Sequence, residues 1–559
     1  MPAGVAVIRQ ARRGGALATS LLFMVMITVA GSALLAIALI NRVAIINNSI
    51  DVRVTIAAEA GIETMRGRFT LIQGVQEDWD WLGLDSWINV GSPIVNGIPV
   101  DVEARAIGGP SVPTARVRAL AKASGRTRVV EYLIKVATFS DYAVFTGETA
   151  DLGPDYKAVG NVYVNGQINI PNNGAQMLGD VTVTGSINKT NSDDDSYTFP
   201  LTNPLENQPA IPFPTWAAPW EALENVGRTM NHIYAENTIE IILTGSTYTR
   251  IWVQRNDNNG GTGTVPTGLG WINRATGVTD YDESGNGLRN SDYRVIRQDD
   301  IPLPEEGVIY VKSGPARLNG PGGADTLSKD TDKPGNVNNF TQTRVTGSSG
   351  DDMIFYDNYF SRTTPVLLLS GYLTNARVSI ACDHKIIIRN PIAYSTLLAN
   401  PGYRRFWADG INGKESAGAL AFTEMLGVMA KGDIHSAVTW WNSSVSLGPT
   451  QLVTDMTGEY IPGHYSNPAD GGQYAQDGVY MSLGATRPYR HSTGTPLGEM
   501  WFHGGLIAQG RYGSGNAPTF KRRNYDWDYR MRLTCPPYFL RAYNSSAVFI
   551  PGTWRTYEL

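Results

Sequence analysis

The side chains able to do chemistry in this 559-residue chain are few and widely spread. Six histidines stand at 232, 384, 435, 464, 491 and 503, with no short spacing that would let two imidazoles share a metal ion. Asp280-Tyr281-Asp282-Glu283-Ser284-Gly285 puts oxygen ligands at alternate positions ahead of a glycine, which is how a calcium loop begins. Asp280, Asp282 and Ser284 are therefore the candidate metal ligands, and calcium is the one candidate cofactor. The glutamate that completes such a loop is missing: its place is Ser291, with Asp292 following. A solvated Asx turn is the alternative reading. Asp351, Asp352 and Asp383, with Lys385 and Arg389 nearby, would suit cleavage of an acidic polysaccharide, although charges on an exposed β face usually only solvate it.

Other catalytic signatures are absent. No GxSxG, HExxH, CxxC, Walker A or GxGxxG occurs, so lipase, zincin, thioredoxin-like and nucleotide-binding chemistry have no support. His503-Gly504-Gly505 has the look of an oxyanion loop, but without a nucleophile elbow it reads as a turn. Cys382 falls in register with Val378 and Ile380 and reads as a small core residue, and its pairing with Cys535 is open. Tyr403 to Trp407 (YRRFW) and Trp440-Trp441 could stack on sugars or on a protein partner, with core packing as the alternative. A net charge of -5 argues against nucleic acid, whose phosphates call for a basic face. The expectation is a protein that is not an enzyme.

The elements that must position these residues begin with a helix. Ala16 to Ile40 carries no charge, and its only polar members are Thr19, Ser20, Thr28 and Ser32. As a helix it spans about 37 Å, enough for a hydrocarbon core of about 30 Å with some tilt. Arg9, Arg12 and Arg13 precede it, which leaves the N-terminus in the cytoplasm and the bulk outside, with the lipid bilayer as a partner. The apolar run is too long for a signal peptide, so a retained anchor is expected. Helical spacing of Ile56, Ala60, Glu63 and Gly67 carries the helix on as a stalk. The expected divisions are a basic leader at 1–15, a transmembrane helix at 16–40 and a stalk at 41–74.

Residues 75–139 read as a small antiparallel β region. It has runs at 94–107, 114–123 and 127–139, and Val100, Val102, Ala104 and Ala106 alternate with polar residues. Trp79, Trp81 and Trp87 stand ahead of it and are expected to pack rather than to form an interfacial belt. Then a repeat appears: GNVYVNGQIN (160–169) and GDVTVTGSIN (179–188) match at a spacing of 19 residues. Apolar residues at every second place, repeated at that period, predict coils of a β-helix, each burying its inner ladder only on the next. A β-sandwich is the alternative. Similar runs at 307–320, 365–394, 425–441 and 499–513 extend the pattern, with Val378/Ile380/Cys382, Ile386/Ile388 and Ile392/Tyr394 as in-facing candidates. The low share of charged residues (17%) and the 60 glycines fit an extracytoplasmic β-rich protein with many tight turns. The fold class expected is mainly β: an N-terminal helix, a small αβ head at 75–139 and a large right-handed β-helix over 140–520. The β-helix carries a loop-rich insertion at about 190–300, and 521–559 is a tail.

The leader Arg13-Gly14-Gly15-Ala16-Leu17, the long apolar helix and Ala57-Ala58-Glu59-Ala60-Gly61 resemble the PilX N-terminal family of pilin-like accessory subunits over roughly the first 70 residues. The resemblance implies an inner-membrane protein of bacteria that assembles with subunits and assembly proteins of a type IV pilus or secretion pseudopilus. It also implies prepilin-type cleavage after Gly15, leaving Ala16 as the new N-terminus. Pilins carry a glutamate five residues into the mature chain, whose carboxylate can pair with a neighbour's amino terminus; here that place is Ser20. A subunit lacking the glutamate cannot receive that amine, which suits a tip or initiating subunit and equally a protein that never enters a filament. Residues 141–145 (DYAVF), 426–430 (LGVMA), 504–507 (GGLI), Tyr525-Asp526-Trp527 and Cys535-Pro536-Pro537-Tyr538 are similar to a bacterial extracytoplasmic domain that follows such N-termini. That likeness implies architecture and location, not chemistry. The function expected is a non-enzymatic pilin-like accessory protein. Its rivals are a glycan-binding surface module or adhesin and a β-helix polysaccharide lyase or hydrolase.

Overall fold

The computed structural model describes residues 6–69, 82, 86–107, 114–153, 156–171, 173–190, 192–215, 217–234, 238–255, 270–272, 280–281, 287–288, 293–312, 343–346, 352–355, 366–399, 423–437, 473–489, 497–510, 520–532, 534–541, 547–550 and 552–558. The chain is mainly β, with one long apolar helix at its N-terminus. That helix, α1 (Ala6–Met65), runs 60 residues without a break and is the one described helix long and apolar enough to cross a membrane.

A first, antiparallel sheet follows from β1 (Ile88–Gly91), β2 (Ile94–Val95), β3 (Ile98–Ile107), β4 (Thr114–Ala123) and β5 (Arg126–Val136). The run read as one strand over 94–107 is a hairpin: Asn96 and Gly97 both take positive φ, as does the Ser124-Gly125 pair between β4 and β5. Such two-residue turns match the twist of the strands they join, and Asn, Ser and Gly tolerate them. Val100, Val102 and Ala104 face inward and alternate with polar Asp101 and Glu103, so the sheet has one buried face.

Next come short strands, β6 (Val144–Thr146), β7 (Ala150–Asp151), β8 (Tyr156–Val159), β9 (Val162–Val164), β10 (Ile168–Ile170), β11 (Gln176–Leu178), β12 (Val181–Val183) and β13 (Ile187–Lys189). The sequence repeat is literal here: Val162 pairs with Val181 and Ile168 with Ile187, in parallel. After α2 (Asp195–Thr198) and α3 (Ala217–Thr229) the strands resume with β14 (Ile233–Tyr234), β15 (Thr238–Gly245), β16 (Thr247–Arg255), β17 (Gly270–Ile272), β18 (Asp280–Tyr281), β19 (Gly287–Leu288), β20 (Tyr293–Pro302), β21 (Gly307–Val311), β22 (Thr343–Thr346) and β23 (Asp352–Phe355). The remainder are β24 (Val366–Leu373), β25 (Arg377–Cys382), β26 (Lys385–Tyr394), α4 (Ser395–Ala399), β27 (Met425–Ala430), β28 (Ile434–Ala437), β29 (Gln473–Ser482), β30 (Thr486–Tyr489), β31 (Leu497–Ala508), β32 (Phe520–Asp526), β33 (Ala547–Phe549) and β34 (Arg555–Glu558).

Two long parallel ladders hold most of them. One reads β11-β8-β32-β31-β29-β27-β25-β21-β14, and the other carries β15-β24-β26-β28-β30 with the antiparallel β16 and β20 at its edge. In the first ladder, alternate residues serve two cores. Val378, Ile380, Cys382, Leu426 and Val428 join an inner cluster that also holds Ile386, Ile388, Ile392 and Tyr394, the positions picked as in-facing from sequence. Ala381, Met425, Met429, Val479 and Ile507 join a second cluster with Phe213, Trp220 and Phe539. A strand buried on both faces reads as a continuous apolar run, and for that reason the second core was not visible in the sequence.

The order of stacking is not the order of the chain. β6 pairs with the end of β31, and β8 pairs with β32, so residues 144–183 continue the ladder that ends near 526. Part of the segment read as an insertion is structural: β15 pairs with β24 over eight residues, and β14 pairs with β21. From the β12 edge, which Leu205 covers through bonds to Val181 and Val183, the chain runs back along the second core. There Asn165 Nδ2 reaches Ile211 O at 2.6 Å, Trp220 Nε1 reaches Pro214 O at 3.0 Å, and α3 seats Gly227 on Tyr310. The C-terminal residues are not a peripheral tail. β32 belongs to the first ladder, and β33 and β34 close the edge of β5 in the antiparallel sheet. Each adds its backbone bonds to an edge that would otherwise be open.

Candidate functional site

Within α1 the apolar stretch is exposed, from Leu17 (71%) through Ile27 (68%) to Ile40 (66%). Its hydroxyls are satisfied within the helix: Ser20 Oγ donates to Leu17 O at 2.9 Å, Thr28 Oγ1 to Met24 O at 2.8 Å and Ser32 Oγ to Val29 O at 2.9 Å, and Thr19 bonds Gly15 O. Such back-bonding hides hydroxyl groups from an apolar medium. Gly15 and Ala16 lie inside the continuous helix, exposed, with open space around Gly15.

The C-terminal half of α1 is seated on the antiparallel sheet. Val54, Ala57, Ala58, Gly61 and Ile62 are buried against Val100, Val102, Ala104, Val117 and Ala119. Small residues on the helix bring the backbones close: a Cβ on Gly61 would stand 2.6 Å from Val100 Cγ1. Polar contacts fix the angle. Asp51 Oδ2 meets Arg128 Nη2 at 3.1 Å and Arg126 Nη1 at 3.3 Å, and both arginines also reach Glu558 on β34. Trp554 Nε1 donates to Glu59 Oε1 at 3.1 Å, so the chain's end ties back to its first helix. The Arg118 and Arg105 guanidinium groups lie 4.0 and 5.0 Å from the Trp87 ring centre, a packing role as expected; Trp79 and Trp81 lie outside the described residues.

A second constellation is buried where the remote strands meet. Ladder register stacks Asp477, His503 and Asp526 on β29, β31 and β32. His503 Nδ1 is 3.0 Å from Asp526 Oδ2, and Nε2 is 3.7 Å from Asp528 Oδ2. Arg530 Nε is 2.9 Å from Asp528 Oδ1, and Tyr394 N donates to Asp477 Oδ2 at 2.7 Å. Burial works against the imidazolium of His503, but the Asp526 bond and the charges of Asp528, Asp526 and Asp477 outweigh it and raise the pKa above the usual histidine value. Burial likewise opposes charge on Asp528, yet the charges of His503 and Arg530 hold its carboxyl below the usual range. His503-Gly504 is not a turn; it lies mid-strand in β31, with Gly504 at φ 138° against the Gly478 carbonyl.

The other candidates separate. Asp280 starts β18, but its side chain, Asp282 and Ser284 lie outside the described residues, as do Asp351, Tyr403 to Trp407 and Trp440-Trp441. Among the described residues no cluster of three His, Cys, Asp or Glu is arranged to hold a metal ion. Asp383 accepts from Tyr310 Oη at 2.6 Å and pairs with Lys431 Nζ at 2.5 Å, which makes it part of the packing around Tyr310; Lys385 is buried. Cys382 and Cys535 are both free and buried, and burial pushes the Cys382 thiol up to about 12. The Asp477–His503–Asp526 row was missed in the sequence. Its members stand far apart and meet only through ladder register.

No protein-family model matches the chain, and no curated protein matches it. Among solved structures, it is similar to the competence-associated pilin ComZ from Thermus thermophilus at 11% identity and a TM-score of 0.25, over 91% of this chain and 97% of that one. A likeness that slight does not establish a shared fold.

Proposed function

We propose that this chain is a membrane-anchored, pilin-like accessory protein of a type IV pilus or related secretion pseudopilus, of the PilX N-terminal kind, and that it acts by presentation rather than catalysis. The observation that carries the reading is the division of α1. Its stretch from Ala16 to Ile40 is uncharged, exposed and has its hydroxyls bonded within the helix, while its C-terminal part is seated on an antiparallel sheet. A helix so divided is built to have one half in lipid or a helical bundle and the other under a globular head. The parallel ladders are read as a right-handed β-helix held outside the bacterial inner membrane, its surface offered to partners. The N-terminus then lies in the cytoplasm, and Gly15–Ala16 is the processing bond. Because Gly15 is helical in the intact chain, a peptidase would have to unwind the first turns to reach it. Ser20, whose hydroxyl donates to Leu17 O, has no negative charge to pair with a neighbour's charged amine.

The test is the N-terminus and intact mass of protein purified from membranes. A chain beginning at Ala16 supports prepilin-type processing and assembly with pilus subunits. A chain retaining residues 1–15 means a permanent anchor and removes the filament reading. A start beyond about residue 40 would mean a cleaved signal and sink the anchored reading altogether.

A further inference from the structure

Arg523 of β32 enters the inner core of the first ladder. Register places it opposite Met500 of β31 and Tyr156 of β8, and it shares a face with Tyr525, two residues on. Met500, Tyr156 and Tyr525 all belong to the inner apolar cluster, where the rings of Tyr156 and Tyr525 stand 5.1 Å apart. Arg523 itself is only 4% exposed. A Cβ on Gly153 would lie 3.5 Å from Arg523 Nη1, 3.6 Å from Nη2 and 3.7 Å from Cζ, so the guanidinium lies flat against the corner between β7 and β8. Glycine there leaves the face of the group uncrowded. The edge of the group is different. Nε and Nη2 are both buried and meet no hydrogen-bond partner, and among the described residues no ion pair includes Arg523.

A guanidinium does not give up its proton in a protein, so this charge is permanent. An uncompensated cation in a packed interior is costly, because nothing there solvates or neutralises it. Nε–H and Nη2–H run parallel along one side of the group, at a separation that matches two oxygens of a carboxylate or a phosphate. We propose that this edge is a binding site for a small oxyanion, taken side-on and held as the counter-ion of Arg523. The site is independent of the His503 cluster, since Asp526, three residues further along β32, points to the opposite face of the strand. The edge is closed to solvent, so the anion enters as the Gly153 corner parts from β32 and is retained when it closes. A carboxylate or phosphate ion can be sealed in this way, and a polyanion cannot. Arg523 stands where β32 meets β8, so the bound anion strengthens the contact between the C-terminal strand and the coils near residue 156. The apolar lining of Met500 and Tyr525 keeps water from competing for the two charged bonds.

The test is hydrogen exchange on the full chain in detergent, with chloride replaced by inorganic phosphate or by acetate at constant pH and ionic strength. Peptides over Tyr156–Val159 and Phe520–Asp526 report the contact, and Ile98–Ile107 and Thr114–Ala123 of the antiparallel sheet are the reference. Above its dissociation constant, an anion raises the closed-to-open ratio in proportion to its free concentration. Protection of the first two peptides should therefore rise about tenfold for each tenfold of anion, while the reference stays level. A rise in both anions assigns any two-oxygen edge, and a rise in phosphate or acetate alone assigns the tetrahedral or the planar one. Arg523→Met, which fills similar space without charge, should lose the response and be at least as protected in chloride as the wild type, because no bare charge is left. An arginine that only packs would lose protection in that variant. If Arg523→Met does not fold, Arg523→Lys decides: it keeps the charge without the fork and should respond only at higher anion concentration. Level protection in both anions, or a response that Arg523→Met or Arg523→Lys retains unchanged, overturns the site.

Discussion

Gly504 and Gly478 stand at the same register of neighbouring strands, and their close approach is a residue-scale requirement of the stack. A Cβ at 504 would lie 1.9 Å from the Gly478 carbonyl oxygen, at a φ that side chains rarely adopt. Gly504→Ala is expected to cost about 3 kcal/mol or more, from strain and overpacking together. Gly97→Ala, at positive φ but in open space, should cost about 1 kcal/mol; denaturant midpoints compare the two. Asp528 sets an acid limit. Its depressed pKa gives stability present above the unfolded value of about 4 and lost as pH falls through the folded one, so Asp528→Asn should flatten the acid limb of a stability–pH profile. The two thiols, buried and with pKa values raised by burial, should resist maleimide in the native protein and both react once it is unfolded without reductant.

At the scale of elements, much was legible. The uncharged stretch of Ala16 to Ile40 is an exposed helix, and the alternation of Val100, Val102 and Ala104 is the buried face of β3. What local pattern did not convey is that β5 needs the last residues of the chain. Val548 and Thr556 lie on strands opposite Lys135 and Val130, a pairing between segments more than 400 residues apart. Removing residues 547–559 is expected to strip hydrogen-exchange protection from Arg126–Val136 while leaving β25 and β27 protected. Loss confined to the last strands, with β5 unchanged, would show that the edge needs no cover.

For the whole molecule, the joining of residues 144–164 to the strands that end at 526 makes the two remote parts of the chain depend on each other. Val144 is buried opposite Leu506, so Val144→Asp puts an unpaired carboxylate into the joint. Its effect should be read at a distance, as lost protection in β31 and β32 rather than only around residue 144. Contacts of this sequence separation are slow to form, since the intervening chain must be ordered first.

The sequence by itself determined the helix, the alternating strands and the 19-residue repeat, because hydrophobic period and glycine placement act locally and leave a local trace. It determined the inner positions of β25 and β26 for the same reason. Only tertiary structure decided which strand lies next to which. Parallel ladders bond backbone to backbone, so one alternating apolar strand fits another without a complementary code, and stacking order is chosen by which edges remain open. The Asp477–His503–Asp526 row inherits that choice. Its chemistry exists only where register brings together residues that nothing in their spacing associates.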